Sequence, residues 1–178
     1  YISYKFRRES FIIVTISFFC GVFSALLVSL IHEIFPWIFN FEFNNKLFDL
    51  LFSTFIQAGL IEEIAKFGLF FLIVWKFSFE DFPEPYDAVL YLGVLGAGFA
   101  VYEDFFYILG QSYPPWESGN ISKYRSAFQF TAIQRSYPGH VLFNSIAGYY
   151  LGRAKFSKNG TRSKHFILVG ITIAIISH

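Results

Sequence analysis

Two adjacent glutamates and a lysine interrupt an otherwise apolar run between Leu47 and Trp75. A run of this length can cross a membrane, and each ionisable side chain near the bilayer centre costs roughly 2.5–3.5 kcal/mol to insert. On a helix, Glu62 and Lys66 are four residues apart and Glu63 and Lys66 are three apart, so each pair shares a face. We therefore expect Lys66 to neutralise one carboxylate and to leave the other available for chemistry.

The composition extends this interpretation to the whole chain. Of its 178 residues, 54% are hydrophobic and only 15% are charged, which is unusual for a soluble domain. At about 20 residues per span, the chain has room for about five membrane-spanning helices. We predict an all-α, polytopic transmembrane bundle that forms a single domain over residues 1–178. Its predicted spans are Phe11–Phe35, Leu47–Trp75, Ala88–Leu109, Ala127–Leu151 and Phe166–Ser177.

The distribution of basic residues predicts how the chain is oriented. Nine of the 14 lysines and arginines lie before the first span, directly after the second, or between the fourth and the fifth. Because cytoplasmic loops are enriched in lysine and arginine, we expect a cytoplasmic N-terminus in a protein of the plasma membrane. The chain lacks a basic patch interleaved with aromatic residues, so nucleic acid is not an expected partner. Its one cysteine, Cys20, excludes an internal disulfide.

Two connecting segments and one proline predict where the helices end. Residues 77–87 are acidic and contain two prolines, so we predict a cytoplasmic turn there. Residues 110–126 are polar and contain two adjacent prolines, so we predict an outward-facing loop. Pro138 lies inside the fourth apolar segment, where it predicts either a kink or the start of a new helix. Because the last apolar run stops at His178, we expect the sequence to be part of a longer protein.

Further polar residues lie at comparable depths in the other spans. Glu103 follows the glycine-rich residues 93–98, which allow close helix packing in lipid. His140 and Asn144 are four residues apart and share one helix face. His178 lies about 18 Å along the last helix at 1.5 Å per residue, which is near the middle of a bilayer if that helix continues. We expect these residues to meet the glutamate pair inside the membrane.

This set of residues predicts peptide-bond hydrolysis by activated water, through either of two mechanisms. Carboxylates and imidazoles bind Zn²⁺ and similar divalent ions, which activate a bound water. Alternatively, a desolvated glutamate acts as the general base, and His140 with Asn144 polarises the scissile carbonyl. A covalent mechanism is not expected, because Cys20 and the serines of the spans lack a neighbouring base.

The motifs resemble those of the PrsW family of intramembrane proteases, which is related to the CAAX-prenyl endopeptidases. The resemblance covers residues 47–178, and Glu103 favours the PrsW branch because the prenyl endopeptidases have histidine there. It implies a multi-helix membrane fold with its active site inside the bilayer. It also implies cleavage of membrane-anchored proteins, for example an anti-sigma factor. The motifs are Glu62-Glu63-x-x-Lys66, Phe99-x-x-x-Glu103, His140-x-x-x-Asn144 and the terminal His178.

Our leading hypothesis from the sequence is therefore an intramembrane endopeptidase. In it Glu63 is the base or a metal ligand, and Glu62 is paired with the supporting Lys66. The expected catalytic residues are Glu62, Glu63, Glu103, His140, Asn144 and His178. Zn²⁺ or another divalent metal would be held by Glu63, Glu103, His140 and His178.

Two alternatives remain at this stage. The first is a transporter or ion channel whose buried acids bind a cation or relay protons, although the chain has no internal repeat. The second is an inactive scaffold that binds membrane helices through its glycine-rich faces. A scaffold would tolerate neutral substitutions of the buried acids, whereas a protease would not.

Overall fold

The structure, a computed structural model, describes residues 10–41, 43–76, 84–117, 119–134 and 138–177. All the elements within these ranges are helical, as predicted, and the ranges contain no strand. His178 and residues 77–83 of the predicted acidic turn lie outside them. The α-helices are α1 (Phe11–Ile34), α2 (Pro36–Phe39), α3 (Lys46–Phe52), α4 (Ile61–Leu69), α5 (Pro85–Glu117), α6 (Ile121–Gln134), α7 (Gly139–Lys155) and α8 (Gly160–Ser177).

Helices α3 and α4 belong to one uninterrupted helical run. A π-helical segment, Ser53–Leu60, joins them, and a second one, Phe70–Trp75, extends α4. This run matches the predicted second span, with the glutamate pair in the first turn of α4. Because a π-turn holds more residues than an α-turn, each segment rotates the helix faces on either side of it relative to one another. Such segments are rare in proteins, and those that occur are often found at functional sites.

Helix α5 lies at the centre of the bundle, between α1 on one side and α7 on the other. Glycines allow these close contacts. A Cβ atom at Gly21 of α1 would contact the carbonyl oxygen of Leu95, and one at Gly96 of α5 would contact that of His140. Helix α8 packs against α7 and against the first π-helical segment. Helices in lipid are held together by this kind of backbone proximity.

Several predicted boundaries need correction. Residues 110–117 continue α5 and residues 121–134 form α6, so most of the predicted polar loop is helical. The predicted fourth span is two helices, α6 and α7, and Pro138 is the residue before α7. Helix α5 begins at Pro85, which places Asp87 in its first turn rather than in a connector. Proline suits a first helical position because that residue needs no amide hydrogen bond.

Large apolar side chains cover much of the surface of the bundle, and a few charged side chains are buried within its apolar core. Two helical stretches, Phe11–Ile34 and Pro85–Gly110, have the length and composition of membrane spans. Glu63 and Lys66 are fully buried. Soluble monomers rarely expose large apolar patches, so this distribution is that of a protein in lipid. The side chains that are more than half exposed include those of Phe11, Phe23, Leu72, Val101, Phe105 and Leu168.

Candidate active site

Helix α4 contributes three ionisable side chains that are almost completely removed from solvent. The Lys66 Nζ atom lies 2.6 Å from Oε1 of Glu63 and 3.6 Å from Oε2 of Glu62. Glu63 and Lys66 are 0% exposed and Glu62 is 8% exposed. The helical spacing places both carboxylates within reach of one ammonium group, as predicted. The shorter and more deeply buried of the two ion pairs is the one with Glu63.

His140 connects this group to a third carboxylate on α5. Its Nδ1 atom lies 3.1 Å from Lys66 Nζ, and its Nε2 atom lies 2.8 Å from Oε2 of Glu103. Because an ammonium has three N–H donors and no acceptor, Nδ1 must be the acceptor of the first hydrogen bond. Nε2 therefore carries the proton and donates a hydrogen bond to Glu103. Helices α4, α7 and α5 thus form one continuous hydrogen-bonded chain.

The start of α7 brings His140 to this position. Pro138 precedes the helix and His140 is in its first turn. The absence of a side chain at Gly96 lets the His140 backbone approach α5. A helix N-terminus carries partial positive charge, which favours a carboxylate such as that of Glu103 nearby. The break between α6 and α7 therefore positions a histidine and also stabilises its acidic partner.

Phe99 covers one side of the cluster. Its ring centroid lies 4.0 Å from Lys66 Nζ and 4.9 Å from the centroid of the His140 ring. Phe99 is 2% exposed and lies four residues before Glu103, on the same face of α5. The sequence motif includes this phenylalanine, but the spacing did not predict that it contacts the lysine and the histidine.

Three of these residues are arranged as metal ligands would be. One ligand atom each from Glu62, Glu103 and His140 lies within 4.8 Å of the other two. Carboxylate and imidazole ligands suit zinc, and catalytic zinc sites commonly have three protein ligands. The three carboxylates of the cluster and its one ammonium leave two negative charges in excess, which one divalent cation would balance. The residues present therefore fit a divalent metal.

Comparison with known proteins assigns the chain to a family. Residues 9–178 match the PrsW family of intramembrane metalloproteases. The chain belongs to this family. Relatives named Protease PrsW include those of Clostridioides difficile, 27% identical over 98% of this chain and 67% of the relative, and of Bacillus subtilis, 27% identical over 94% and 67%. A third, from Oceanobacillus iheyensis, is 30% identical over 78% of this chain and 56% of the relative.

The chain spans about two thirds of the length of the first two relatives and 56% of the third. No solved structure is significantly similar to it. Membership in the PrsW family favours the protease among the functional classes that the sequence left open, because the family is one of intramembrane metalloproteases.

The sequence led us to expect Glu63 as the base or a metal ligand and Glu62 paired with Lys66. The structure places Lys66 in ion pairs with both glutamates, at 3.6 Å from Glu62 and at 2.6 Å from Glu63. Of the two glutamates, Glu62 is the one that belongs to the group with Glu103 and His140. Glu103 and His140 are together as expected, whereas His178 lies outside the described residues.

Asn144 lies one turn after His140 and is fully buried. Its Nδ2 atom donates a hydrogen bond of 2.9 Å to the backbone oxygen of His140. Asn144 therefore supports the first turn of α7. Within the cluster, the buried Oε2 atom of Glu63 has no hydrogen-bond partner among the described residues and can accept from a further donor.

Proposed function

We propose that residues 1–178 form a single transmembrane domain of an endopeptidase, which hydrolyses peptide bonds of membrane-anchored proteins at the Glu62, Glu103 and His140 cluster. The observation that carries this proposal is the convergence of these three ligand atoms within 4.8 Å. They come from three different helices, two of which approach each other closely at Gly96. Such convergence of costly polar groups in an apolar protein is expected at a site that performs chemistry.

Zn²⁺ or another divalent metal is the proposed cofactor, held by Glu62, Glu103 and His140. When bound, it would supply Lewis-acid polarisation of the scissile carbonyl and activation of a water molecule. His178 completes the ligand set through the family resemblance. It also follows Gly170 and Ala174, two buried residues of α8, at the same four-residue spacing.

The side chains of the cluster have separate roles in this proposal. In the metal-free protein one proton lies in the hydrogen bond between His140 Nε2 and Glu103 Oε2, which are 2.8 Å apart, and a metal held by Nε2 would take the place of this proton. Glu63 keeps the Lys66 ammonium in place. Lys66 in turn donates to His140 Nδ1 and fixes the ring orientation. Asn144 acts through the backbone of His140.

An apolar groove beside Glu62 supports a membrane-embedded substrate segment, of which an anti-sigma factor is one example. It has a volume of about 530 Å³ and lies between α1 and α4. On a helical wheel, Ala65 and Leu69 of the groove are within about 60° of Glu62. A transmembrane segment in this groove would therefore contact the helix that carries Glu62. The groove is lined by Leu27, Ile31, Phe35, Ile61, Ala65 and Leu72, among others.

The experiment that tests this function measures bound zinc and cleavage in the same preparations. Wild type, His140→Ala and Glu103→Gln are purified in detergent, analysed for metal, and reconstituted with single-span reporter proteins. Asp104→Asn is the matched control, because Asp104 adjoins Glu103 on α5 but is not part of the three-residue group. We expect stoichiometric zinc and cleavage in the wild type and the control, and neither in the other two variants.

Two results would contradict the proposal. Cleavage by folded His140→Ala protein would show that the cluster is not the active site. If the wild type is active without bound metal, the proposed metal cofactor is excluded, and a carboxylate of the cluster acts as the general base instead. Helicity and gel filtration would establish that each variant is folded.

A further inference from the structure

The Phe99 ring contacts both the ammonium group of Lys66 and the imidazole ring of His140. Lys66 Nζ lies 4.0 Å from its centroid, and the His140 ring lies 4.9 Å away, inclined at 56°. With 2% exposure, this side chain has no contact with bulk water. A cation over the face of an aromatic ring is attracted by the ring quadrupole, and the attraction is strongest where water is excluded.

The lysine needs such a partner because its other contacts leave one side of the ammonium open. It donates to Oε1 of Glu63 at 2.6 Å and to Nδ1 of His140 at 3.1 Å. The oxygen of Glu62, at 3.6 Å, is beyond ordinary hydrogen-bond distance. The Phe99 ring, 4.0 Å from Nζ, is a further neighbour of the ammonium. Without it the ammonium could move from the histidine towards the second carboxylate.

We propose that Phe99 is a positioning residue for His140. By holding the ammonium of Lys66 against Nδ1 and packing on the imidazole, it stops the ring from turning and keeps Nε2 directed at Glu103. The inference deepens the proposed function, because it concerns how the histidine of that site is oriented. The first measurement that tests it, however, is the hydrogen bonding of His140 Nδ1 in metal-free protein, which does not depend on cleavage.

The test replaces Phe99 with phenylalanines that carry one, two or three fluorine atoms. Fluorination removes charge density from the ring face while changing its shape little, so it separates the cation contact from packing. The ¹⁵N resonance of His140 Nδ1 is recorded in metal-free protein, and Zn²⁺ affinity is then measured. We expect a progressive loss of the hydrogen-bonded Nδ1 signal and a zinc affinity that falls by on the order of tenfold across the series.

Two controls make the result specific. The same series at Phe67, a buried residue whose ring contacts Phe71 at 6.3 Å, should leave the Nδ1 signal unchanged. In the charge-neutral double variant Lys66→Met with Glu63→Gln, which also lacks the donor to Nδ1, fluorination at Phe99 should no longer change the Zn²⁺ affinity, because the cation is gone. Both controls use the full chain.

A flat response across the Phe99 series would overturn the inference, as would an equal trend at Phe67. The outcome is separable from that of the proposed function. If His140→Ala retains cleavage while the Phe99 series shifts the Nδ1 signal, the proposed function fails and the positioning role stands. If His140→Ala is inactive and the Phe99 series leaves the Nδ1 signal unchanged, the positioning role fails and the proposed function stands.

Discussion

At the scale of single residues, Glu62 and Glu63 differ only by a step of about 100° around one helix. That step decides their surroundings. Glu63 is fully enclosed and contacts Lys66 at 2.6 Å, whereas Glu62 keeps some exposure and faces two residues of other helices. A carboxylate whose charge is neutralised within its own helix contributes mainly to stability. One that faces other potential ligands is available for a metal.

The first prediction separates these two roles. Loss of a residue that hydrogen-bonds to a metal ligand typically weakens metal binding by roughly 10- to 100-fold. Glu62→Gln removes a proposed ligand itself, so it should weaken zinc binding by more than this, with little change in thermal stability. Glu63→Gln should leave Lys66 without its main counter-ion and cost about 3–5 kcal/mol of stability. Zinc titration and thermal unfolding in the same detergent measure both quantities.

The control for this prediction is the neutral double variant Glu63→Gln with Lys66→Met, which should recover part of the lost stability because no unpaired charge remains buried. If instead Glu63→Gln abolishes zinc binding and Glu62→Gln does not, the assignment expected from the sequence is the correct one.

At the scale of helices, the site depends on how closely α5 and α7 approach. Gly96 lies against the carbonyl group of His140, so the backbone of α7 sits where a side chain would otherwise be. Interiors are packed densely enough that one added methyl group moves its neighbours. The position of His140 relative to Glu103 is therefore set by a glycine rather than by either of the two functional residues.

The second prediction is that Gly96→Ala displaces the start of α7. The new methyl group should cost about 1–3 kcal/mol through overpacking and lengthen the contact between His140 and Glu103, with loss of cleavage. Gly110→Ala is the control, since it lies on the same helix and its added Cβ meets nothing within 4 Å. Equal activity of the two variants would show that the close approach is not required.

The third prediction concerns the groove beside Glu62. A Cβ atom at Gly68 meets nothing within 4 Å, so Gly68→Leu should fill the groove without disturbing the helices. We expect a raised KM for a single-span reporter and unchanged zinc affinity, because a substrate segment would be excluded while the cluster stays intact. Gly110→Leu, an equally open glycine outside the groove, should leave KM unchanged. A KM that is also unchanged in Gly68→Leu would remove the groove from the substrate path.

Sequence spacing predicts contacts within one helix far better than contacts between helices. The pairing of Lys66 with both glutamates follows from i, i+3 and i, i+4 geometry, and the helical extents predicted for Phe11–Phe35 and Leu47–Trp75 agree nearly to the residue with the structure. The rotation of α4 relative to its flanks was not predictable, because the π-helical segments depart from 100° per residue. Pro138 was compatible with a kink or a new start, and its non-helical backbone directly before α7 identifies a new start.

At the scale of the whole molecule, an apolar core surrounds one charged cluster, and large apolar side chains also cover much of the outer surface. Large aromatic and aliphatic side chains face outward, while the charged cluster is enclosed. Helix α7 runs antiparallel to α5, because Gly96 lies against His140 near the start of α7 and Gly152 near its end lies against Pro85. The α5–α6 connection near Asn120 therefore lies at the end opposite to the α7–α8 connection near Lys158.

The last prediction fixes the orientation of the bundle and the number of its crossings. In a Cys20→Ala background, which removes the one native thiol, single cysteines replace Asn120 and Lys158. Because basic residues surround Lys158 and few surround Asn120, the positive-inside rule predicts that a membrane-impermeant maleimide labels the Asn120 variant on intact cells. The Lys158 variant should be labelled only after permeabilisation. Labelling of both positions on intact cells would exclude an odd number of crossings between them, and with it the proposed arrangement of about five spans with a cytoplasmic N-terminus.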